Sequence, residues 1–190
     1  MSHQERAFLS QAFLLCPPVM GKSILITGGA RSGKSRFAEK LVLGMAGRGI
    51  YIASAEAHDA EMADRIAAHQ ARRGTEWQTI AAPLDLAQAL RATEGETPRL
   101  VDCLPLWKTN QMLGDHDWTA VTETLAETLR ETTAPTVLVT NEVGSGIVPD
   151  NALARQFRDA AGWMNQTIAT ACDEVYLVAA GCPLKVKPYA

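Results

Sequence analysis

The sequence predicts an α/β fold, a mostly parallel sheet with helices on both faces, and three observations carry that prediction. Short apolar runs alternate with longer stretches whose apolar residues recur at helical spacing. A glycine-rich segment, Gly28-Gly29-Ala30-Arg31-Ser32-Gly33-Lys34-Ser35, joins the first apolar run to the first helical stretch. The chain has 190 residues, 47% of them hydrophobic, which suits one domain around one large core.

The elements follow in order. Ser23–Thr27 is an apolar run bounded by the glycine segment and reads as a buried strand. Arg36 to Leu43 has the apolar spacing of a helix. Gly49–Ala53 is a second short strand. Asp59 is placed to cap a helix that runs through Met62, Ile66 and His69 to Arg73. Trp77–Ile80 is a third strand and Leu84–Leu90 a short helix. Arg99–Leu104 is a fourth strand. Trp118–Glu131 is a helix with Val121, Leu125 and Leu129 on one face. Thr136–Thr140 is a fifth strand. Asp150 is placed to cap a long helix striped by Leu153, Phe157, Met164 and Ile168, and Glu174–Val178 is a sixth strand.

Composition narrows the function. The net charge of −3 provides no basic field for sequence-independent nucleic-acid binding. The four cysteines, Cys16, Cys103, Cys172 and Cys182, form no C-x-x-C pair, so neither a zinc site nor a disulfide framework is expected, and a reducing cytoplasm is the simplest setting. No apolar run approaches the ~20 residues of a membrane span. Residues 1–20 differ from the rest: Ala12 to Cys16 is apolar but short, only Arg6 is basic before it, and Pro17-Pro18 separates it from the first strand. The reading is an N-terminal extension on a domain of residues 21–190, rather than a secretory signal.

The glycine segment has the spacing G-x-x-x-x-G-K-[ST] of a phosphate loop, set between a strand and a helix. That context aims backbone N–H groups and a helix N-terminus at one polyphosphate. Lys34 then reaches the outer phosphates, and the Ser35 hydroxyl is placed to ligate Mg²⁺ directly. In a parallel sheet, ligands sit at the carboxyl ends of the strands. Past the second strand lie Ala53, Ser54 and Ala55, small enough to lie under a nucleotide. At the fourth strand lies Asp102, an acidic position that could hold Mg²⁺ through water. Past the fifth lie Asn141 and Glu142, candidate substrate ligands whose plainer reading is turn capping. Arg65, His69 and Arg72 or Arg73 fall on one helical face, where bound phosphate would relieve their mutual repulsion and a neutral imidazole could attack phosphorus. His3, His58 and His116 read as surface residues.

Together these segments resemble the bifunctional adenosylcobinamide kinase / adenosylcobinamide-phosphate guanylyltransferase family of cobalamin biosynthesis. The carrying residues are Thr27–Arg36, Tyr51–Ala55, Glu61–His69, Asp102-Cys103-Leu104 with Trp107 and Asn110, Thr140–Pro149 and Asn151–Asp159. The resemblance covers roughly residues 23 to 187. It implies a three-layer, RecA-like P-loop NTPase fold and two reactions: phosphorylation of adenosylcobinamide by ATP or GTP, then transfer of GMP from GTP to that phosphate. It implies a guanylylated histidine at His69, nucleotide contacts from Gln70, Ala71, Arg72 and Arg73, a guanine contact from Asp102, and a homotrimer. The guanine and Mg²⁺ readings of Asp102 both stand at this point.

The sequence departs from the family pattern at Ala81, where a glutamate is usual, at Pro105 and Lys108 after the fourth strand, and at Trp163, where an arginine is usual. None of these touches the phosphate loop or His69. Two other readings remain: a kinase of a different small molecule, and a non-enzymatic nucleotide switch. His69 separates the first reading from the kinase alone, and the intact Lys34 and Ser35 disfavour the switch.

Overall fold

A computed structural model describes residues 23–56, 64, 67 and 73–188. Seven strands form one sheet: β1 (Ser23–Thr27), β2 (Gly49–Ala53), β3 (Trp77–Ala81), β4 (Arg99–Asp102), β5 (Thr136–Val139), β6 (Glu174–Ala179) and β7 (Cys182–Lys187). Their order is β3-β2-β4-β5-β1-β6-β7. All neighbours are parallel except the β6–β7 pair at one edge. The described helices are α1 (Lys34–Ala46), α2 (Leu86–Ala92), α3 (Leu104–Leu113), α4 (Trp118–Glu131) and α5 (Ala152–Ala171).

Strand residues alternate between two cores, as the two-residue period of a strand requires. Ile24, Ile26, Tyr51, Leu100, Val137 and Val139 pack against Ala38, Leu41 and Val42 of α1. Leu25, Ile50, Ile52, Val101 and Leu138 pack on the other face against Leu86, Leu104, Leu125, Met164 and their neighbours from the remaining helices. Burial on both faces explains why the central strands read as continuous apolar runs. No helix among the described residues is long and apolar enough to cross a membrane.

Several boundaries differ from the sequence reading. The fourth strand ends at Asp102, and Cys103 serves as N-cap of α3, with Pro105 in the first turn. Proline is tolerated there because a first-turn N–H has no intrahelical acceptor. The cap of α5 is Asn151, whose side chain accepts from the Ala154 amide at 2.7 Å, rather than Asp150. The second helix starts after Asp85, which accepts from the Gln88 amide at 2.8 Å. Strand β7 had no counterpart in the reading. Of the helix expected over 59–73, Asp64 and Ala67 are helical; Asp59, Met62, Arg65, Ile66, His69, Gln70, Ala71 and Arg72 lie outside the described residues.

Two of the family departures meet in this packing. Lys108 of α3 is 0% exposed; its Nζ lies 2.9 Å from the centre of the Trp118 ring and donates to the Ala160 carbonyl at 3.3 Å. Trp118 in turn packs edge-on against Trp163, ring centres 5.5 Å apart. A carbonyl and an aromatic face only partly replace water, so burial pushes the Lys108 ammonium down to about 8. A cation whose folded pKa is depressed costs stability below that pH, and the cost fades as pH rises from about 8 toward the unfolded value of about 10.4. Lys108→Met should therefore stabilise the protein at pH 7 by about 2 kcal/mol, at roughly 1.4 kcal/mol per pKa unit less the aromatic contact. Urea unfolding at pH 7 and pH 10 checks this: the gap between variant and parent should shrink at the higher pH, and a pH-independent gap would contradict it.

Candidate active site

The phosphate loop leaves β1 and enters α1 with a backbone only its glycines adopt easily. Gly28 has φ 155° and Gly33 has φ 98°. A Cβ on Gly28 would sit 2.4 Å from the Val178 carbonyl oxygen and 2.7 Å from Ser32 Oγ; one on Gly33 would sit 3.2 Å from Gly181 Cα. The loop is thus seated on the β6–β7 turn, where the Gly181 amide donates to the Ser32 carbonyl at 2.8 Å. Ser32 Oγ is buried without a hydrogen-bond partner among the described residues.

Lys34 opens α1 and is 9% exposed, and its Nζ donates to the Gly29 carbonyl at 3.1 Å. Burial lowers its pKa, opposed by the neighbouring Cys103 and Asp102. Asp102 is therefore close enough for its charge to favour the protonated lysine. The register explains this proximity: Asp102 pairs with Val139 of β5, and Val139 pairs with Ile26 of β1, so all three reach the level of the loop.

A cavity of about 450 Å³ opens at these strand ends. Its walls include Ala30, Arg31, Lys34 and Ser35 from the loop and helix, Ala53 and Ala55 past β2, Arg73, Asp102 and Asn141. The structure brings these sequence-predicted residues together. Ser54 is different: it is fully buried and its hydroxyl donates to the Cys103 carbonyl at 2.7 Å, so its side chain supports the wall. Asn110 adds a second support, donating to the Ser54 carbonyl at 2.8 Å and the Pro83 carbonyl at 3.0 Å. Glu142 is absent from the wall. Its carboxylate accepts from the Gly144 and Ser145 amides at 2.8 and 3.0 Å, and hydrogen bonding led by the Ser145 side chain lowers its pKa. That is the turn-capping arrangement. Ala81, at the exposed end of β3, does not line the cavity.

Four lining residues were not among the predicted site residues: Tyr51, Cys103, Pro105 and Leu106, although Tyr51 and Cys103 lie in segments that carry the family resemblance. Tyr51 Oη donates to Asp102 Oδ2 at 2.7 Å, and the Arg73 guanidinium carbon lies 3.7 Å from the centre of the Tyr51 ring. Burial, then the Asp102 charge, raises the Tyr51 pKa, so the phenol stays a donor. Burial and the same charge push the Cys103 thiol up to about 12, which leaves it without thiolate reactivity. Cys103, Pro105 and Leu106 follow directly after β4, whereas Tyr51 lies in the middle of β2, where its position alone did not mark it as a wall residue.

Ser35 and Asp102 present hard oxygen donors on one cavity wall, which fits Mg²⁺. Among the described residues there is no cluster of three or more histidine, cysteine or acidic side chains that could hold a metal by itself. A phosphate-bound cation, with ligands mostly from nucleotide and water, suits such a donor set.

The glycine loop seated between β1 and α1, with a buried lysine and an acidic strand end, defines a nucleoside-triphosphate-binding α/β protein of the phosphate-loop class. An ATPase from the type III secretion system of pathogenic bacteria shares the fold at a TM-score of 0.50 and 11% identity, covering 82% of this chain, which spans half of that protein. The chain belongs to the family described as cobinamide kinase / cobinamide phosphate guanyltransferase, whose model matches residues 24–186. Relatives include the bifunctional adenosylcobalamin biosynthesis protein CobP of Pseudomonas aeruginosa, 47% identical over 167 residues, covering 86% of this chain and 96% of the relative. The bifunctional adenosylcobalamin biosynthesis protein CobU of Escherichia coli is 41% identical over 180 residues, covering 86% of this chain and 99% of the relative.

Proposed function

We propose that this protein phosphorylates the aminopropanol hydroxyl of adenosylcobinamide with ATP or GTP, then transfers GMP from GTP to that phosphate, giving adenosylcobinamide-GDP and pyrophosphate. The observation that supports it most directly is the union, in one cavity, of the phosphate loop with Asp102 and Asn141 in a chain of this family.

In the first reaction the substrate hydroxyl attacks the terminal phosphorus, the bond to the bridging oxygen breaks, and the nucleoside diphosphate leaves. Loop amides and Lys34 hold the negative charge that spreads over the transferred group and the leaving oxygen. Mg²⁺ bound by Ser35, with Asp102 acting through water, would neutralise phosphate charge there. In the second reaction His69 attacks the α-phosphorus of GTP, pyrophosphate leaves, and the phosphate of adenosylcobinamide-phosphate then displaces the histidine. Arg72 and Arg73 neutralise the departing pyrophosphate, and Gln70 and Ala71 contribute to nucleotide binding. We assign Asn141 to substrate binding. By the same family membership we propose a homotrimer working in the cytoplasm.

Asp102 lines the same cavity as Lys34, and the strand register sets it level with the end of β1 where the phosphate loop begins, which favours a place at the phosphate end of the nucleotide over a guanine contact. Asp102→Asn should then slow the kinase step at least tenfold with ATP and GTP alike, a loss of about 1.4 kcal/mol or more. Steady-state kinetics with both donors decide it. A loss confined to GTP would assign Asp102 to guanine instead, since an amide replaces an acceptor with a donor facing the base.

A further inference from the structure

We propose that Tyr51 is the positioning residue of the nucleotide cavity, fixing its acidic and its basic wall with one buried side chain. Tyr51 is 4% exposed and lies in the middle of β2, paired with Leu100 of β4. Its ring has little freedom: Trp77 packs edge-on at 5.8 Å between ring centres, and this tryptophan fills the space that a side chain on Gly49 would take, 2.7 Å from its would-be Cβ. From that fixed ring the hydroxyl reaches Asp102 Oδ2 at 2.7 Å, and the opposite resource, the π face, carries the Arg73 guanidinium at 3.7 Å. Both partners line the cavity.

The two contacts do different things. The phenol consumes one lone pair of one carboxylate oxygen, which orients the carboxyl group and leaves Oδ1 for what enters the cavity. The ring gives Arg73 a flat seat that suits a planar guanidinium, and one terminal nitrogen donates to Thr79 Oγ1 at 3.3 Å. Oriented anion and seated cation are what a Mg²⁺-bearing triphosphate needs on its two sides. The effect of Tyr51 on the reaction passes through Asp102 and Arg73.

The inference rests on the kinase reading of the cavity, and the experiment separates the two. Tyr51→Phe removes the hydroxyl and keeps the ring; Tyr51→Leu removes both. For Tyr51→Phe we expect the kinase kcat to fall about tenfold, with the Kd for GTP, titrated without cobinamide, changed less than threefold. For Tyr51→Leu we expect Kd to weaken about tenfold as well. Because Tyr51 acts through Asp102, the double variant Tyr51→Phe/Asp102→Asn should be no slower than Asp102→Asn alone within about twofold. Losses that multiply in the double variant, or a Tyr51→Phe kcat within twofold of the parent, would overturn the proposal even if Tyr51→Leu fails to fold. Absence of turnover in the parent protein would instead overturn the kinase reading on which the proposal stands, and the proposal with it.

Discussion

Lys34→Ala should abolish phosphoryl transfer to adenosylcobinamide and leave the protein folded. The lysine is nearly buried at the first residue of α1, with its ammonium on the Gly29 carbonyl. Burial already lowers its pKa, so the native state bears a desolvation cost that the alanine variant no longer has. Stability should therefore be kept, since packing of Ala38, Leu41 and Val42 holds α1 in place. The kinetic loss is different in kind, because the charge on the transferred group develops where only a preorganised cation can meet it. We expect a fall of at least a hundredfold in kcat, about 2.7 kcal/mol. Circular dichroism and a thermal melt check the fold, and steady-state kinetics check the loss. Retention of more than about a tenth of parental turnover, ~1.4 kcal/mol, would remove Lys34 from the role.

His69→Ala should abolish the guanylyl intermediate and adenosylcobinamide-GDP formation, and spare the kinase step at least in part. The two reactions use different phosphorus atoms and different nucleophiles, so one variant should divide them. Attack requires the neutral imidazole, so labelling of the protein by GTP should weaken as pH falls below the histidine pKa, about 6.5 if unperturbed. Acid-labile, base-stable label on the parent and none on the variant is the expected pattern. Label on His58, or near-parental adenosylcobinamide-GDP from the variant, would contradict the assignment.

The sheet was legible because every central strand is buried on both faces, and a short apolar run between turn residues says so directly. Helix α3 was hidden for a matching reason. It follows β4 with only Cys103 between, Cys103 offers no side-chain cap, and the apolar run of β4 reads on through Cys103 and Leu104 as strand. Strand β7 was hidden by Pro183, which an interior strand would reject and an edge strand tolerates. The phosphate loop announced itself because its glycines answer to backbone geometry within a few residues. Tyr51 and Cys103 could not, since their places in the cavity depend on the register of β2 against β4 and on where α3 begins. Ser54 shows the converse: its place in the sequence was read correctly as a strand end, but which way its hydroxyl turns is decided by Cys103 across the sheet.

On the proposed function one protein carries out both transfers, the first on the γ-phosphorus and the second on the α-phosphorus of a nucleotide. The most direct test supplies purified protein with adenosylcobinamide and GTP labelled in separate runs at the γ- and the α-phosphate, and follows the label through separated products. The expected result is that γ-label enters adenosylcobinamide-phosphate first, and that both labels then reach adenosylcobinamide-GDP. Appearance of γ-label in the phosphate with no α-label ever reaching a cobinamide product would contradict it and leave a kinase alone.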